Sequence, residues 1–352
     1  MNRALENLNL WSVGNRPRQK TMKYISFLLL ILFSASCTRH DKTKSDSENS
    51  LMQESLTRGT FLVVLGTVQD GGSPHIGCKK DCCKDLFLHP DVTRKVVSLG
   101  VVDCENKMNF IFEATPDFPA QLKNLQTHSV FSNKETPDGI FLTHAHIGHY
   151  TGLMYLGKEA MNSNDVNVYA LPRMKTFLET NGPWSQLVNL RNIKIIPLQH
   201  DSTIQLTSNI KVTPILVPHR DEFSETCGYI IEGPHKKILF IPDIDKWEKW
   251  GTDIVQEISK VDYAFIDGTF YDGEELNNRN MAEIPHPFIS ESMNKFESLT
   301  ASEKISRGDP CGKIYFIHFN HTNPALNKNS KQSETILKNG FHIAYYNEVI
   351  GL

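Results

Sequence analysis

The sequence predicts a layered α/β domain, and three observations lead to that expectation. Short apolar runs rich in β-branched and aromatic residues recur along the chain, segments of helical character fall between them, and 352 residues with 39% hydrophobic and 22% charged content can bury a full core. No internal repeat and no low-complexity stretch interrupts residues 57–352.

At the N-terminus, "KTMKYISFLLLILFSASC" sets Lys20 and Lys23 before an apolar run from Tyr24 to Phe33, with small residues leading to Cys37. This is the build of a secretory signal, and the run is too short to span a bilayer as a mature helix. Small residues before a cysteine resemble a bacterial lipoprotein signal, in which Cys37 becomes the lipidated first residue. Ser34 stands where that signal usually has a leucine-like residue, and the alternative is an ordinary cleaved signal with Cys37 incidental. Residues 1–37 are therefore expected to be signal, with Met22 as an alternative start, and 38–57 a polar tether ahead of a single domain over 58–352. The expected location is outside the bacterial cytoplasm, periplasmic or held at the outer membrane through an N-terminal lipid.

Strands are expected in "FLVVLGTV" (61–68), "VVSLGVVD" (96–103), "NFIFEA" (109–114), "GIFLTH" (139–144), "IKIIPL" (193–198), "IKVTPILVP" (210–218), "CGYIIEG" (227–233), "KILFIPD" (237–243), "YAFIDGTF" (263–270) and "KIYFIHF" (313–319). Several are continuously apolar rather than alternating, which suits strands covered on both faces. Helices are expected at 152–161, 173–179, 246–259 and 287–300.

A formal net charge of −3 provides no global basic field for nucleic acid or an acidic membrane surface. The oligomeric state is left open, a dimer included. "QDGGSP" lacks the lysine and the spacing of a phosphate-binding loop, and no Cys–His nucleophile pair stands out.

The chemistry concentrates in "IFLTHAHIGHYTGL" (140–153), which puts His144, His146 and His149 into six positions behind an apolar run. Side chains alternate along an extended exit, so His144 and His146 share a side and can ligate one ion. His149 follows a turn at the start of a helix and can reach back toward a second ion or a shared site.

This segment resembles the H-x-H-x-D-H signature of the metallo-β-lactamase fold, with Gly148 where the aspartate stands. The resemblance implies an αββα four-layer sandwich with one or two metal ions at one edge. It implies further ligands at later strand ends: His219 in "ILVPHRDEF", Asp243 in "LFIPDIDKW" and His318 in "IYFIHFNHTNP". By that resemblance His144, His146 and His219 hold the first ion, His149 and His318 the second, and Asp243 bridges them. A bridging carboxylate has physical sense, since two dications about 3.5–4 Å apart repel and an anion between them lowers that cost. Gly148 leaves the second position without its usual carboxylate, so that ion is expected to be looser, absent or completed by water.

"LGTVQDGGSPHIGC", "EATPDFPAQL", "FIPDIDKW", "FIDGTFYDGEEL" and "FIHFNHTNP" resemble the pyrroloquinoline quinone biosynthesis protein B branch of the fold, from about Phe61 to the C-terminus. Members of that branch act on a peptide-derived precursor in the cytoplasm, often with a degraded histidine cluster. The export signal and fuller cluster here imply a paralogue with another substrate. "FIDGTFYDGEELNNRNMAEIPHPFISESMNKF" also resembles the phosphodiesterase branch that includes RNase Z. That likeness implies that Asp267 holds the imidazole of His286, which donates a proton to the leaving oxygen. The alternative for His286 is a helix-start residue without chemistry.

Of the seven cysteines, Cys78, Cys82 and Cys83 cluster in "IGCKKDCCKDLFLHP", and three thiolates suit a tetrahedral structural zinc short of one ligand. Resemblance to the phosphonate phosphodiesterase branch makes His321 the fourth ligand, with His89 the runner-up. The spacing departs from the usual C-x-C-x-x-C, so one cysteine is free to drop out, and the alternative is disulfides in an oxidising compartment. Cys104, Cys227 and Cys311 read as core packing.

The function expected is a metal-dependent hydrolase in which a metal-activated water attacks an ester, a phosphodiester above all, with a small-molecule or phosphodiester substrate. The centre would use one or two zinc ions, with iron or manganese also suited to it, beside one structural zinc. The alternatives are an iron-dependent oxidative enzyme resembling the quinone-biosynthesis branch and a non-catalytic metal-binding lipoprotein.

Overall fold

The computed structural model describes residues 59–276, 284–301 and 313–352. The expected signal, tether and Cys37, together with Cys311, lie outside the described residues.

Two seven-stranded sheets face each other. The first is built from β1 (Thr60–Gly66), β2 (Ser98–Asp103), β3 (Met108–Phe112), β4 (Gly139–Phe141), β5 (Val166–Ala170), β6 (Ile193–Pro197) and a late strand, β14 (Val349–Gly351), in the order β14-β1-β2-β3-β4-β5-β6. The second contains β7 (Ile204–Gln205), β8 (Lys211–Leu216), β9 (Cys227–Glu232), β10 (Lys237–Ile241), β11 (Tyr263–Asp267), β12 (Ile314–Ile317) and β13 (His342–Ile343), in the order β13-β12-β11-β10-β9-β8-β7. Each sheet is half antiparallel and half parallel: β3 through β6 run parallel in one, and β10 through β13 in the other.

Among the described residues the helices are α1 (Asp81–Lys84), α2 (Phe118–His128), α3 (Ile147–Tyr150), α4 (Pro172–Thr180), α5 (Trp184–Asn189), α6 (Ile254–Ser259), α7 (Ile289–Lys295), α8 (Glu297–Ala301) and α9 (Lys331–Lys338). They cover the outer sheet faces, which makes the molecule an α/β/β/α sandwich of the metallo-β-lactamase type.

Period-two alternation divides each buried strand between two cores. In β1, Leu62 and Val64 enter the layer between the sheets, while Phe61, Val63 and Leu65 pack under α2, α4 and α5. In β10, Ile238 and Phe240 point inward, and Leu239 and Ile241 pack with Ile254 and Ile258 of α6 and Ile289 of α7. Both faces are covered, so the runs are continuously apolar. Phe112, Phe141 and Tyr169 stack across β3, β4 and β5 with ring centroids 4.7 and 4.3 Å apart, and Phe112 meets Phe240 of the other sheet edge-on at 6.4 Å.

The expected helix at 246–259 is two pieces: a 3-10 turn at Trp247–Lys249, then α6 after Gly251, capped by Asp253 Oδ1 accepting from Val255 N at 2.9 Å. The helix expected at 152–161 begins earlier as α3, continues as a 3-10 turn over Thr151–Leu156 and ends there. The segment 287–300 divides into α7 and α8.

Candidate metal centre

The strands that matter end at one edge of the sandwich, where side chains leave the parallel ladders and carboxyl ends of strands leave a crevice. Beyond β4 the chain turns through Thr143 to His146. Cys227 N donates to Thr143 O at 3.1 Å and Ala145 N to Ser224 Oγ at 2.9 Å, so this loop is tied to the second sheet. His219 follows β8, Asp243 follows β10, Asp267 closes β11 and His318 follows β12.

The donors fall into groups with all ligand atoms within 4.8 Å of one another: His144, His146, His219 and Asp243; Asp70, His149, Asp243 and His318; and Asp243, Asp267 and His286. Asp243 belongs to all three. Its Oδ2 lies 3.2 Å from His219 Nε2, 3.5 Å from His144 Nε2, 3.9 Å from His149 Nε2 and 4.0 Å from His318 Nε2. Its Oδ1 lies 3.1 Å from His286 Nδ1.

The opposite ring nitrogens are held from behind. His144 Nδ1 is 2.9 Å from Thr143 Oγ1, His219 Nδ1 3.2 Å from Asp245 Oδ1 and His318 Nδ1 2.8 Å from Thr269 Oγ1, whereas His149 Nδ1 only faces Glu113 Oε1 at 3.4 Å without a hydrogen bond. Thr269 Oγ1 in turn donates to Asp267 Oδ1 at 2.7 Å. A proton kept on Nδ1 by these partners leaves Nε2 as a lone pair, the form in which imidazole ligates metal. Glu113 and His318 hold left-handed backbones, φ 78° and 68°, a strain of about 1–3 kcal/mol each that the surrounding structure sustains at the site.

Electrostatics follow from burial and pairing. Burial, and then the charge of His149, push His144 well below its ordinary value, toward neutral imidazole. Burial would raise Asp243, but His219, His286 and His318 hold it well below the usual carboxylate range. Burial opposes charge on His286 too, yet Asp267, whose Oδ2 is 2.9 Å from Nδ1, and Asp243 raise it well above its ordinary value.

Sequence reasoning missed Asp70, Asp245, Glu113 and Thr269. Asp70 Oδ1 lies 2.9 Å from His149 Nε2 and 3.4 Å from His318 Nε2. The second group therefore contains a carboxylate besides the shared Asp243 despite Gly148, where the sequence left the position one short. Glu222, also unforeseen, faces His146 Nε2 at 3.1 Å.

Cys78, Cys82, Cys83 and His321 form a separate group. All three thiols are free, Cys82 Sγ lies 3.8 Å from both Cys78 Sγ and Cys83 Sγ, and all three cysteines stand in the group. His89 is not among these donors. Cys227 is buried, as core packing requires, while Cys104 is only half-buried.

Two features show that these residues fit metal ions. The Nε2 atoms of His144 and His219 are buried beside Asp243 without a hydrogen bond, and His321 Nδ1 is likewise buried and unpartnered among the described residues. Such groups are costly unless something else satisfies them. The donor sets, three imidazoles with a carboxylate and three thiols with an imidazole, are those of divalent metal sites.

Fold and site together define a metallo-β-lactamase-fold protein with groups of histidines and carboxylates at its sheet edge that could hold metal ions. Residues 108–306 match the family described as "Beta-lactamase superfamily domain", and the chain belongs to that superfamily. It is similar to the Coenzyme PQQ synthesis protein B of Methylococcus capsulatus, 24% identical over 310 residues covering 80% of this chain and 96% of that protein. The Gluconobacter oxydans protein of the same name is 23% identical over 308 residues, covering 80% of this chain and 95% of its own. Among solved structures, Zn(2+)-bound PqqB from Methylobacterium extorquens superposes with a TM-score of 0.66 at 18% identity, over 83% of this chain and 100% of that one. A diphosphatase from the PhnP family superposes with a TM-score of 0.54 at 19% identity, over 83% and 97%.

Proposed function

We propose that this protein is a metal-dependent hydrolase acting on an ester, a phosphodiester above all. The observation that carries the reading is the His286–Asp267 pair, with Nδ1 2.9 Å from Oδ2, set against Asp243 at the rim of the histidine groups. His144, His146, His219 and Asp243 would hold one ion, His149, His318 and Asp243 a second, and Cys78, Cys82, Cys83 and His321 a structural one. When bound, zinc, or iron or manganese in its place, would supply Lewis-acid charge and make water acidic enough to serve as nucleophile near neutral pH.

The remaining roles belong to the chain. Asp267 and Asp243 keep the His286 imidazole protonated, and Asp267 fixes the ring through a hydrogen bond on Nδ1, which leaves Nε2–H to donate to a leaving alkoxide. An alkoxide leaves poorly without that proton, so the pair suits an ester more than a substrate whose leaving group departs unaided. The cationic imidazole also favours an anionic substrate such as a phosphodiester. Hydrolysis of bis(4-nitrophenyl) phosphate that disappears in His146→Ala supports this reading, and metal-loaded protein inert toward a panel of phosphodiesters would count against it.

A second reading is favoured by the likeness to Coenzyme PQQ synthesis protein B along 80% of the chain. In it the same donors hold iron and serve an oxidative reaction. Oxygen uptake by the iron-loaded protein, without diester hydrolysis, would select it.

We further propose that the chain is exported and tethered to a membrane by lipid on Cys37, a reading supported by the apolar run before that cysteine. Labelling with a fatty-acid analogue that is lost in Cys37→Ser would support it.

A further inference from the structure

We infer that Asp70 is the carboxylate ligand of the second metal position, relocated from the histidine loop to the loop after β1, and that Gly148 is the space that admits it. The inference rests on the metal-dependent reading above and deepens it.

Three observations converge. Asp70 Oδ1 faces both imidazole nitrogens of the second group, 2.9 Å from His149 Nε2 and 3.4 Å from His318 Nε2. A Cβ at position 148 would fall 2.4 Å from that Oδ1 and 2.6 Å from Asp70 Cα, so a side chain at 148 and the Asp70 loop cannot occupy their present places together. The loop is also fixed rather than loosely draped. Gln69 N donates to Phe319 O at 2.9 Å, Gly72 N donates back to Gln69 O at 2.8 Å, and Val68 bridges both Val96 and Phe319. Asp70 therefore leaves backbone that is hydrogen-bonded beside His318 itself.

The exchange has a chemical reason. Two dications in one pocket need negative charge on each side of the shared Asp243, and His149 with His318 supplies none. A carboxylate from residue 148 would come along the short helix that carries His149. The carboxylate from Asp70 comes instead from the loop after β1, at the same sheet edge, and fills the volume that a residue-148 side chain would take. Gly148 is thus no sign of a decayed site, because it is the steric counterpart of a ligand placed elsewhere.

The test is elemental analysis of the full-length protein, with cobalt(II) substitution to separate the sites: thiolate charge-transfer bands report the cysteine group, and visible d–d bands the histidine groups. The wild-type protein is expected to bind about three ions per chain, two at the histidine groups and one at the cysteines. Asp70→Asn, which preserves shape but removes charge, should lose one histidine-site ion or weaken it about a hundred-fold or more, and keep the thiolate bands. Gly148→Ala removes no donor atom but should produce the same selective loss by displacing the Asp70 loop. If both variants retain the wild-type stoichiometry and affinities, Asp70 is only an ion-pair partner of His149 and the inference is overturned. If the wild-type protein itself takes up only the cysteine-site ion, the metal-dependent reading fails first, and this inference with it.

Discussion

The imidazole of His286 meets two carboxylates, Asp267 and Asp243, at 2.9 and 3.1 Å. If it is the proton donor, His286→Asn should lower kcat by about 10²- to 10⁴-fold on a diester with a poor leaving group while metal content stays unchanged. The loss should shrink for a substrate whose leaving group needs no proton, and an equal loss on both substrates would refute the role. A different test falls on Asp245, which holds His219 Nδ1 from behind at 3.2 Å. Asp245→Asn is expected to weaken the ion at His144, His146 and His219 about 10–100-fold, measured by competition with a chelator. At this scale the sequence was legible wherever ligands sit close together or end an apolar run, as His144, His146 and Asp243 do. Asp70 was not legible as a partner of His149, because 79 positions separate the two and only the fold brings them into contact. Gly148 was the visible clue, an empty place in a motif, but the sequence does not say what fills it.

Among the elements, the short late strands were the hardest to foresee. β13 and β14 are two and three residues long, too short for a period-two pattern to register. β5 was missed as well, since "VNVYA" alternates only briefly between two loops. The 246–259 segment misled because its apolar spacing suits a helix, whereas Gly251 and the Asp253 cap set a fresh start. One titrating group belongs to this scale. Glu348 immediately precedes β14, and burial pushes its carboxyl up from 4.5 to about 7. The native state therefore keeps a proton that the unfolded chain releases above its own value. The resulting stability is fully present below about pH 4.5 and is lost as pH rises through about 7. Glu348→Gln should remove that slope and leave the variant more stable than wild type at pH 8 by roughly 2–4 kcal/mol. Urea midpoints at pH 4 and pH 8 check it, and an equal shift at both would refute the titration.

Over the whole molecule, the layered architecture was the most legible feature, because continuously apolar strands require cover on both faces and the two sheets with flanking helices provide it. The edge at which the ligands meet was not derivable from strand patterns, since it depends on the order of strands within each sheet. That order draws the two histidine-rich ligand groups from both halves of the sandwich. His144 and His146 leave the first sheet and His219 and Asp243 the second; Asp70 and His149 leave the first and His318 the second. A bound ion would therefore be a cross-link between the sheets, absent from any partly folded state in which they have separated. Metal concentration then becomes a variable of folding. An ion at a hundred times its dissociation constant would add about 2.7 kcal/mol to stability, and chelation should lower the melting temperature by several degrees. Differential scanning calorimetry with and without chelator, on wild type and on the Asp243→Asn variant, would measure how far the seam between the sheets is held by an ion and how far by its own apolar packing.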